Sequence, residues 1–591
     1  MTGPAILTLA VIAGMFVALA LEFLAPDIIL FVSLAVLFLS GVLTPEEAFV
    51  GFSNQGMLTV GILFIVAYAA QSSGILESAA SRIMGRGEGL RRSLLRMALP
   101  TAGLSAFLNN TPIVAMFTPA VRDWARSRGL SPSKFLIPLS YASIFGGICT
   151  LIGTSTNLVV NGLLQQEMDT SLSFFELAWV GVPAAFVGIL YLTLVGHRLL
   201  PDHKGPVDDL RESGREYLVE MEIRAGCPLI GKTVAEAGLR NLQGLFLAEI
   251  FRDNESIAPV TPSDRLRQHD RLLFTGMVQS IVQLQKIENL IPVDEPRLYH
   301  DLRRSGQARV VEAVVSRTSP MLGRTIKEGN FRAHYGAVVL SVHRCGERVV
   351  DKIGNIVLKA GDTLLLLVND DFFKTWNQSR DFYMISSGTT MPTVDRKKSV
   401  ISMVSLTGMV ILAGTGVLPI FKAAILAASI LVLTGTVKPA DARKSIEWNV
   451  LIVIACAFGI SKAMDKTGAA AFIAHWIINA VHGLGPLGLL GAVYLITSVM
   501  TEVITNNAAA ALAFPIAISA SSQVSADPMP FVIAVAIGAS AAFSTPFGYQ
   551  TNMMVYGPGS YRFRDFVRVG LPLNFLIMLV AMVVIPVVWK F

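Results

Sequence analysis

Twelve apolar stretches, six on each side of a hydrophilic block, leave this chain one environment in which to fold. They fall at about 5–24, 26–43, 57–73, 97–119, 135–160 and 175–200, then at 399–417, 419–436, 449–464, 486–518, 529–552 and 568–590. Only 15% of the 591 residues are charged and mean hydropathy is +0.58, against about 25% charged in soluble domains. These values predict a polytopic α-helical membrane protein. Two of the stretches carry what lipid penalises. Ser105-Ala-Phe-Leu-Asn109-Asn110-Thr111-Pro112 and Thr501-Glu-Val-Ile-Thr505-Asn506-Asn507-Ala508 are the fourth of each set, and a proline follows each, Pro119 and Pro515. A desolvated amide is costly unless it is hydrogen-bonded, so such groups face a cavity, a partner or a substrate.

Counting each fourth stretch as a re-entrant hairpin, at 97–119 and 500–518, leaves five crossings per half. An odd number inverts the second half relative to the first, a transporter architecture. The basic residues agree. With both termini outside, the inner loops hold Arg82, Arg86, Arg91 and Arg92; Arg122, Arg126, Arg128 and Lys134; Lys438, Arg443 and Lys444; and Arg562, Arg564 and Arg568. The outer loops hold Glu46, Glu47, Glu167 and Asp169, with Lys466 an exception. The positive-inside rule then places residues 205–395 in the cytoplasm, and the expected location is the cell's inner (plasma) membrane. The halves, 1–204 and 396–591, also share a pattern after each asparagine cluster, Gly153-Thr-Ser-Thr-Asn157 and Gly548-Tyr-Gln-Thr-Asn552.

The central block reads as two copies of one α/β unit, 215–292 and 306–372. Tyr217-Leu-Val-Glu-Met-Glu-Ile alternates as a strand, and Pro228-Leu-Ile-Gly231-Lys-Thr-Val turns into a helix. Val310-Val-Glu-Ala-Val-Val and Pro320-Met-Leu-Gly323-Arg-Thr-Ile repeat it, and Asp270 and Asp362 each precede a buried strand. On these motifs the insert resembles the TrkA C-terminal domain, which implies a pairing module able to take a small ligand such as a nucleotide. No G-x-G-x-x-G follows a strand, and Gly85-x-Gly87-x-Gly89 is too polar and misplaced for a dinucleotide site.

At the tips, amide and hydroxyl oxygens suit sodium, while amide N–H, hydroxyl and helix N-terminal N–H groups suit an anion. Nothing beside them suits covalent chemistry. Four scattered cysteines (149, 227, 345, 456) form no C-x-x-C, the eight histidines form no cluster, and Glu502 reads as a solvated residue at the hairpin mouth.

Asn109-Asn110-Thr111 and Thr505-Asn506-Asn507, with Gly153-Thr154-Ser155-Thr156-Asn157 and Gly548-Tyr549-Gln550-Thr551-Asn552, resemble the divalent anion–sodium symporter family over nearly all of both membrane halves. That family carries Ser-Asn-Thr at two hairpin tips and a G-T-P-P-N-like break in the helix after each. The resemblance implies one sodium at Ser105, Asn110 and the backbone near Gly153, and a second at Thr501, Asn506 and the backbone near Gly548. It implies an anion among Asn109, Asn110, Thr111, Thr154, Ser155, Thr505, Asn506, Asn507 and Tyr549. The tips depart from Ser-Asn-Thr, and both proline pairs are lost. With two TrkA-C-like units, the chain looks most like the sulfate-permease branch of that family. The expectation is sodium-coupled sulfate symport by a homodimer, its scaffold and dimer interface at 5–43 and 399–436. The rivals are a sodium-coupled dicarboxylate symporter and a sodium/proton antiporter.

Overall fold

The computed structural model describes residues 2–21, 24–73, 89–203, most of 218–293 and 309–386, 396–481 and 483–591. Arg82, Arg86, Gly85 and Gly87 lie outside the described residues. The first helical set runs α1 (Gly3–Ala20), α2 (Pro26–Leu39), α3 (Gln55–Ser72), α4 (Leu90–Ser105), α5 (Asn110–Ser127), α6 (Leu136–Gly147), α7 (Ser155–Met168) and α8 (Ala178–Tyr191). Ten further helices follow the central block: α9 (Arg396–Gly414), α10 (Ile420–Leu433), α11 (Pro439–Ser445), α12 (Trp448–Thr467), α13 (Ala469–Ala480), α14 (Gly485–Val503), α15 (Asn506–Gln523), α16 (Met529–Ser540), α17 (Gln550–Tyr556) and α18 (Phe563–Val588). Seven helical segments of the described residues are long and apolar enough to cross a membrane. A single apolar core runs through both sets, with Leu37, Phe117, Tyr141, Phe458, Phe531 and Ile577 fully buried in it.

The two sets share one plan. Each has a helical hairpin, α4–α5 and α14–α15, and then a helix broken in mid-course, α6/α7 and α16/α17. The sets are also threaded through each other, α2 packing on α12 and α10 on α3. The helix α13 has no counterpart among the described residues and was not expected.

Both hairpins are longer than 97–119 and 500–518. They occupy 90–127 and 485–523: the first runs past its apolar stretch at both ends, and the second takes in the whole of the stretch from 486 as its incoming helix. Arg91, Arg92 and Arg96 extend α4, and Arg122 and Arg126 extend α5. Pro119 and Pro515 lie inside α5 and α15 rather than ending them. Each removes one backbone donor, and the helix resumes beyond it.

The central block forms two five-stranded antiparallel sheets. The first holds β1 (Leu218–Ile223), β2 (Leu245–Arg252), β3 (Glu255–Ile257), β4 (Arg271–Gly276) and β5 (Leu290–Pro292), in the order β3-β2-β4-β1-β5. The second holds β6 (Arg309–Val315), β7 (Val338–Arg344), β8 (Glu347–Arg348), β9 (Thr363–Val368) and β10 (Phe382–Ser386). Its order, β8-β7-β9-β6-β10, is the same topology. Both copies carry a register shift at one place, between Leu247 and Glu249 and between Val339 and Ser341. Gly231 and Gly323 sit at φ +82° and +72°, left-handed backbone that glycine adopts without strain. In each copy an arginine grips the aspartate before the last buried strand with paired bonds. Arg252 reaches Asp270 at 2.8 and 2.8 Å, and Arg344 reaches Asp362 at 2.8 and 2.7 Å. The second sheet extends to Ser386, past the expected end at 372, because β10 pairs with β6.

Candidate functional site

The two asparagine segments are the turns of the two hairpins. Asn110 opens α5 and Asn506 opens α15, with Asn109 and Thr505 as N-cap residues whose side chains make no capping bond. Each tip folds back on its incoming helix through one hydrogen bond of the same design. The Ser105 hydroxyl donates to Asn110 Oδ1 at 2.6 Å, and the Thr501 hydroxyl to Asn506 Oδ1 at 3.0 Å. Ser105, Asn110 and Thr501 are fully buried.

The breaks are braced by asparagines that the sequence reading put in its motifs but not among its site residues. Asn157 Nδ2 donates to the carbonyls of Gly147 and Thr150 at 3.1 and 2.8 Å. Asn552 Nδ2 donates to those of Ala542 and Thr545 at 2.9 and 3.1 Å. Each bond set ties the outgoing helix to the loop before it, so the backbone stays unwound without wandering. Asn157 Oδ1 is buried and makes no hydrogen bond within the described residues, and the same is true of Thr505 Oγ1. Glycine allows the first tip and break to meet. A Cβ at Gly147 would lie 2.7 Å from Asn110 Oδ1, and one at Gly153 would lie 2.6 Å from the Gly147 carbonyl. At the second break, a Cβ at Gly548 would lie 3.0 Å from the Thr501 carbonyl. Ser105, Asn110 and Gly153 thus lie together, and so do Thr501, Asn506 and Gly548. These are the two groups expected to bind sodium.

Each tip meets the break of the other set. Asn110 Nδ2 donates to the Tyr549 hydroxyl at 2.6 Å, and the Thr111 hydroxyl donates to Gln550 Oε1 at 3.1 Å. From the other side, Ser155 and Thr156 hydroxyls both donate to Asn507 Oδ1 at 3.2 Å. Tyr549 stands at the centre, 7% exposed, with its hydroxyl 3.1 Å from Thr154 Oγ1. The N-termini of α5, α7 and α15 therefore converge, each without a side-chain cap. Converging helix N-termini present unpaired N–H groups and favour an anion. No Lys or Arg is among the hydrogen-bond partners of these tips and breaks in the described residues. Asn109 lines a mostly apolar groove between α3, α9 and the first tip, with Phe64, Phe107 and Met409, and shares it with Ser155 of the cluster.

Glu502 is not the solvated residue expected. Its carboxylate accepts from the backbone N–H of Ser544 at 2.7 Å, from that of Thr545 at 2.8 Å, and from Asn574 Nδ2 at 2.7 Å. The chain bends back at the α16 end and brings those donors over it. Nothing within five residues of Glu502 in sequence announces them.

Paired hairpin tips set against unwound helix breaks, in a chain whose described residues include seven helical segments apolar enough to cross a membrane, are an arrangement found in membrane transporters. Comparison with known proteins agrees. Residues 16–538 match the model of the CitMHS citrate transporter family, and the chain belongs to that family. It is 36% identical, over 95% of its length and 97% of the relative's, to a Chlamydomonas reinhardtii protein named as a candidate sulfur deprivation response regulator. It is 30% identical over the whole of both chains to the uncharacterized Escherichia coli transporter YfbS. It is also 27% identical to sodium/sulfate cotransporter 1 of Chlamydomonas reinhardtii, over 96% of this chain and 88% of that one.

Proposed function

We propose that this protein is a sodium-coupled symporter of a divalent oxyanion, with sulfate as substrate. The observation that carries the reading is the doubled tip: hydroxyl and amide oxygen from Ser105 and Asn110, and again from Thr501 and Asn506, each beside an unwound glycine-bearing break. Neutral hard oxygens and unwound carbonyls suit sodium. Two bound sodium ions supply the positive charge that no arginine or lysine provides, and helix N-termini and the Thr111, Ser155 and Asn507 side chains receive the anion's oxygens. Sulfate is compact and acceptor-only, which suits a site built from N–H and O–H donors.

In this reading both hairpins are re-entrant and the two halves are inverted repeats, which the meeting of tips with the middles of the broken helices supports. Substrate access alternates as the hairpin-bearing part moves against a scaffold of α1, α2, α9 and α10, which also pairs two copies of the chain. The central sheets lie in the cytoplasm of a plasma-membrane protein with both termini outside, and as TrkA-C-like units they are candidates for nucleotide binding. An antiporter would need an intramembrane carboxylate free to exchange protons, and Glu502 is committed to three donors.

In proteoliposomes, an inward sodium gradient is expected to drive labelled sulfate uptake, and Asn110→Ala and Asn506→Ala are each expected to abolish it. Uptake that ignores sodium, or that survives both substitutions, would overturn the assignment. Excess citrate or succinate should compete poorly; strong competition would favour the di- or tricarboxylate reading suggested by the family's description.

A further inference from the structure

The two sheets of the central block are copies, and one buried residue is used differently in each. Glu220 on β1 and Glu312 on β6 occupy the same place, opposite Leu273 and Leu365. Both are buried, at 6% and 1% exposure. In the first copy Glu220 lies 3.5 Å from Arg271 on the neighbouring strand β4. In the second copy the position of Arg271 is taken by Thr363, and Glu312 is instead engaged from outside its sheet. Arg122 of α5, 2% exposed, donates to its Oε2, and Arg126 lies 3.7 Å from its Oε1.

The second sheet also meets a second element of the site. Thr363 and Gly361, at the start of β9, pack on the end of α17. A Cβ at Gly557 would stand 3.2 Å from Thr363 Cβ, and one at Gly361 would stand 3.5 Å from Met553 Cγ. The two helices it touches, α5 and α17, carry at their other ends the residues that join the first tip to the second break: Asn110 and Thr111, and Tyr549 and Gln550. Twelve residues separate Asn110 from Arg122, about 18 Å along one helix. Both contacts fall on the elements that carry the tip and the break, α5 and the seven-residue α17, so a displacement at the sheet acts on those elements.

We propose that the second sheet is a latch on the transport site: the buried Arg122–Glu312 pair and the Thr363–Gly557 contact hold α5 and α17 together in the arrangement seen here, and transport requires their release. This inference rests on the hairpins being the moving part, as in the proposed function. The first sheet, whose glutamate has an arginine within its own copy, is left free to take another role, such as ligand binding.

The test uses the full-length protein with its four cysteines replaced by alanine. Thr363→Cys with Gly557→Cys places two Cβ atoms 3.2 Å apart, tighter than the roughly 3.5–4.5 Å of an ordinary disulfide, so the bridge closes with a shift of a few tenths of an ångström at the end of α17. Oxidation is expected to lower sodium-driven uptake at least about fivefold, the low end of ordinary coupling energies, and reductant to restore it. The charge-free pair Arg122→Gln with Glu312→Gln removes both charges of the buried ion pair together and is expected to raise the initial rate. A second readout does not depend on which anion is carried. Spin labels at Arg128→Cys and Lys438→Cys should show one distance with the latch intact and an added population in the charge-free pair. A cross-linked protein that transports at the reduced rate, or a single unchanged distance in both proteins, would overturn the latch. Failure of uptake in the unmodified protein, with the distances behaving as expected, would instead overturn the substrate assignment.

Discussion

Glu502 and Tyr549 show what single residues contribute to this site. Glu502 occupies the place that Ala106 holds in the first hairpin, and it collects two backbone donors of the second break and the Asn574 amide. Glu502→Ala leaves three donors without an acceptor, a loss of about 1–3 kcal/mol for each buried group unless water replaces it. The variant should melt several degrees below the parent in detergent, and the glutamine variant should fall between them. Tyr549, on the second break, joins the first tip and the first break through one hydroxyl. Tyr549→Phe keeps the ring and removes that junction. Uptake by this variant should need more sodium for half-saturation, with a smaller change in maximal rate, which a sodium titration at saturating sulfate would measure. Tyr549 could be listed as a site residue from its motif alone. Its bond to Asn110 joins residues 439 positions apart and has no local signature.

At the level of elements, the breaks rather than the helices set the geometry. The first tip and break approach so closely that Gly147 tolerates no side chain: its Cβ would press on Asn110 Oδ1. Gly147→Ala should therefore reduce sodium-driven uptake nearly as far as Asn110→Ala while leaving the protein monodisperse, since the rest of α6 is untouched. The sheets make a matched pair of predictions. Asp270→Ala and Asp362→Ala each strip a buried carboxylate from a bidentate arginine, and breaking such a pair costs about 3–5 kcal/mol. Limited proteolysis should cut the first variant within 218–293 and the second within 309–386. The second should also alter transport, because its sheet meets α5 through Glu312 and Arg122. The duplication of the sheets was readable from the Pro-x-x-Gly turns and the paired aspartates. The length of the first hairpin was not, because hydropathy ends at α4's arginines whereas the helix's hydrogen bonds do not.

For the whole molecule, occupancy of the site should appear as stability. A ligand that binds only the folded form at a hundred times its Kd adds about 2.7 kcal/mol. Sodium with sulfate should raise the melting temperature by more than the sum of either alone, and potassium with sulfate should not. Equal shifts in sodium and potassium would argue against paired sodium sites.

The sequence by itself determined the solvent, the doubling of the chain and the positions of both tips and both breaks. Each of these is written in local composition: a run of apolar residues, an amide where lipid forbids one, a glycine before a threonine and an asparagine. Only the tertiary structure decided which tip faces which break, that Glu502 is enclosed, that α13 exists, and that Glu312 reaches Arg122. Those depend on contacts between residues tens to hundreds of positions apart. Hydrogen bonds and ion pairs at such separations form only when packing brings their groups within about 3 Å, and no local pattern records that.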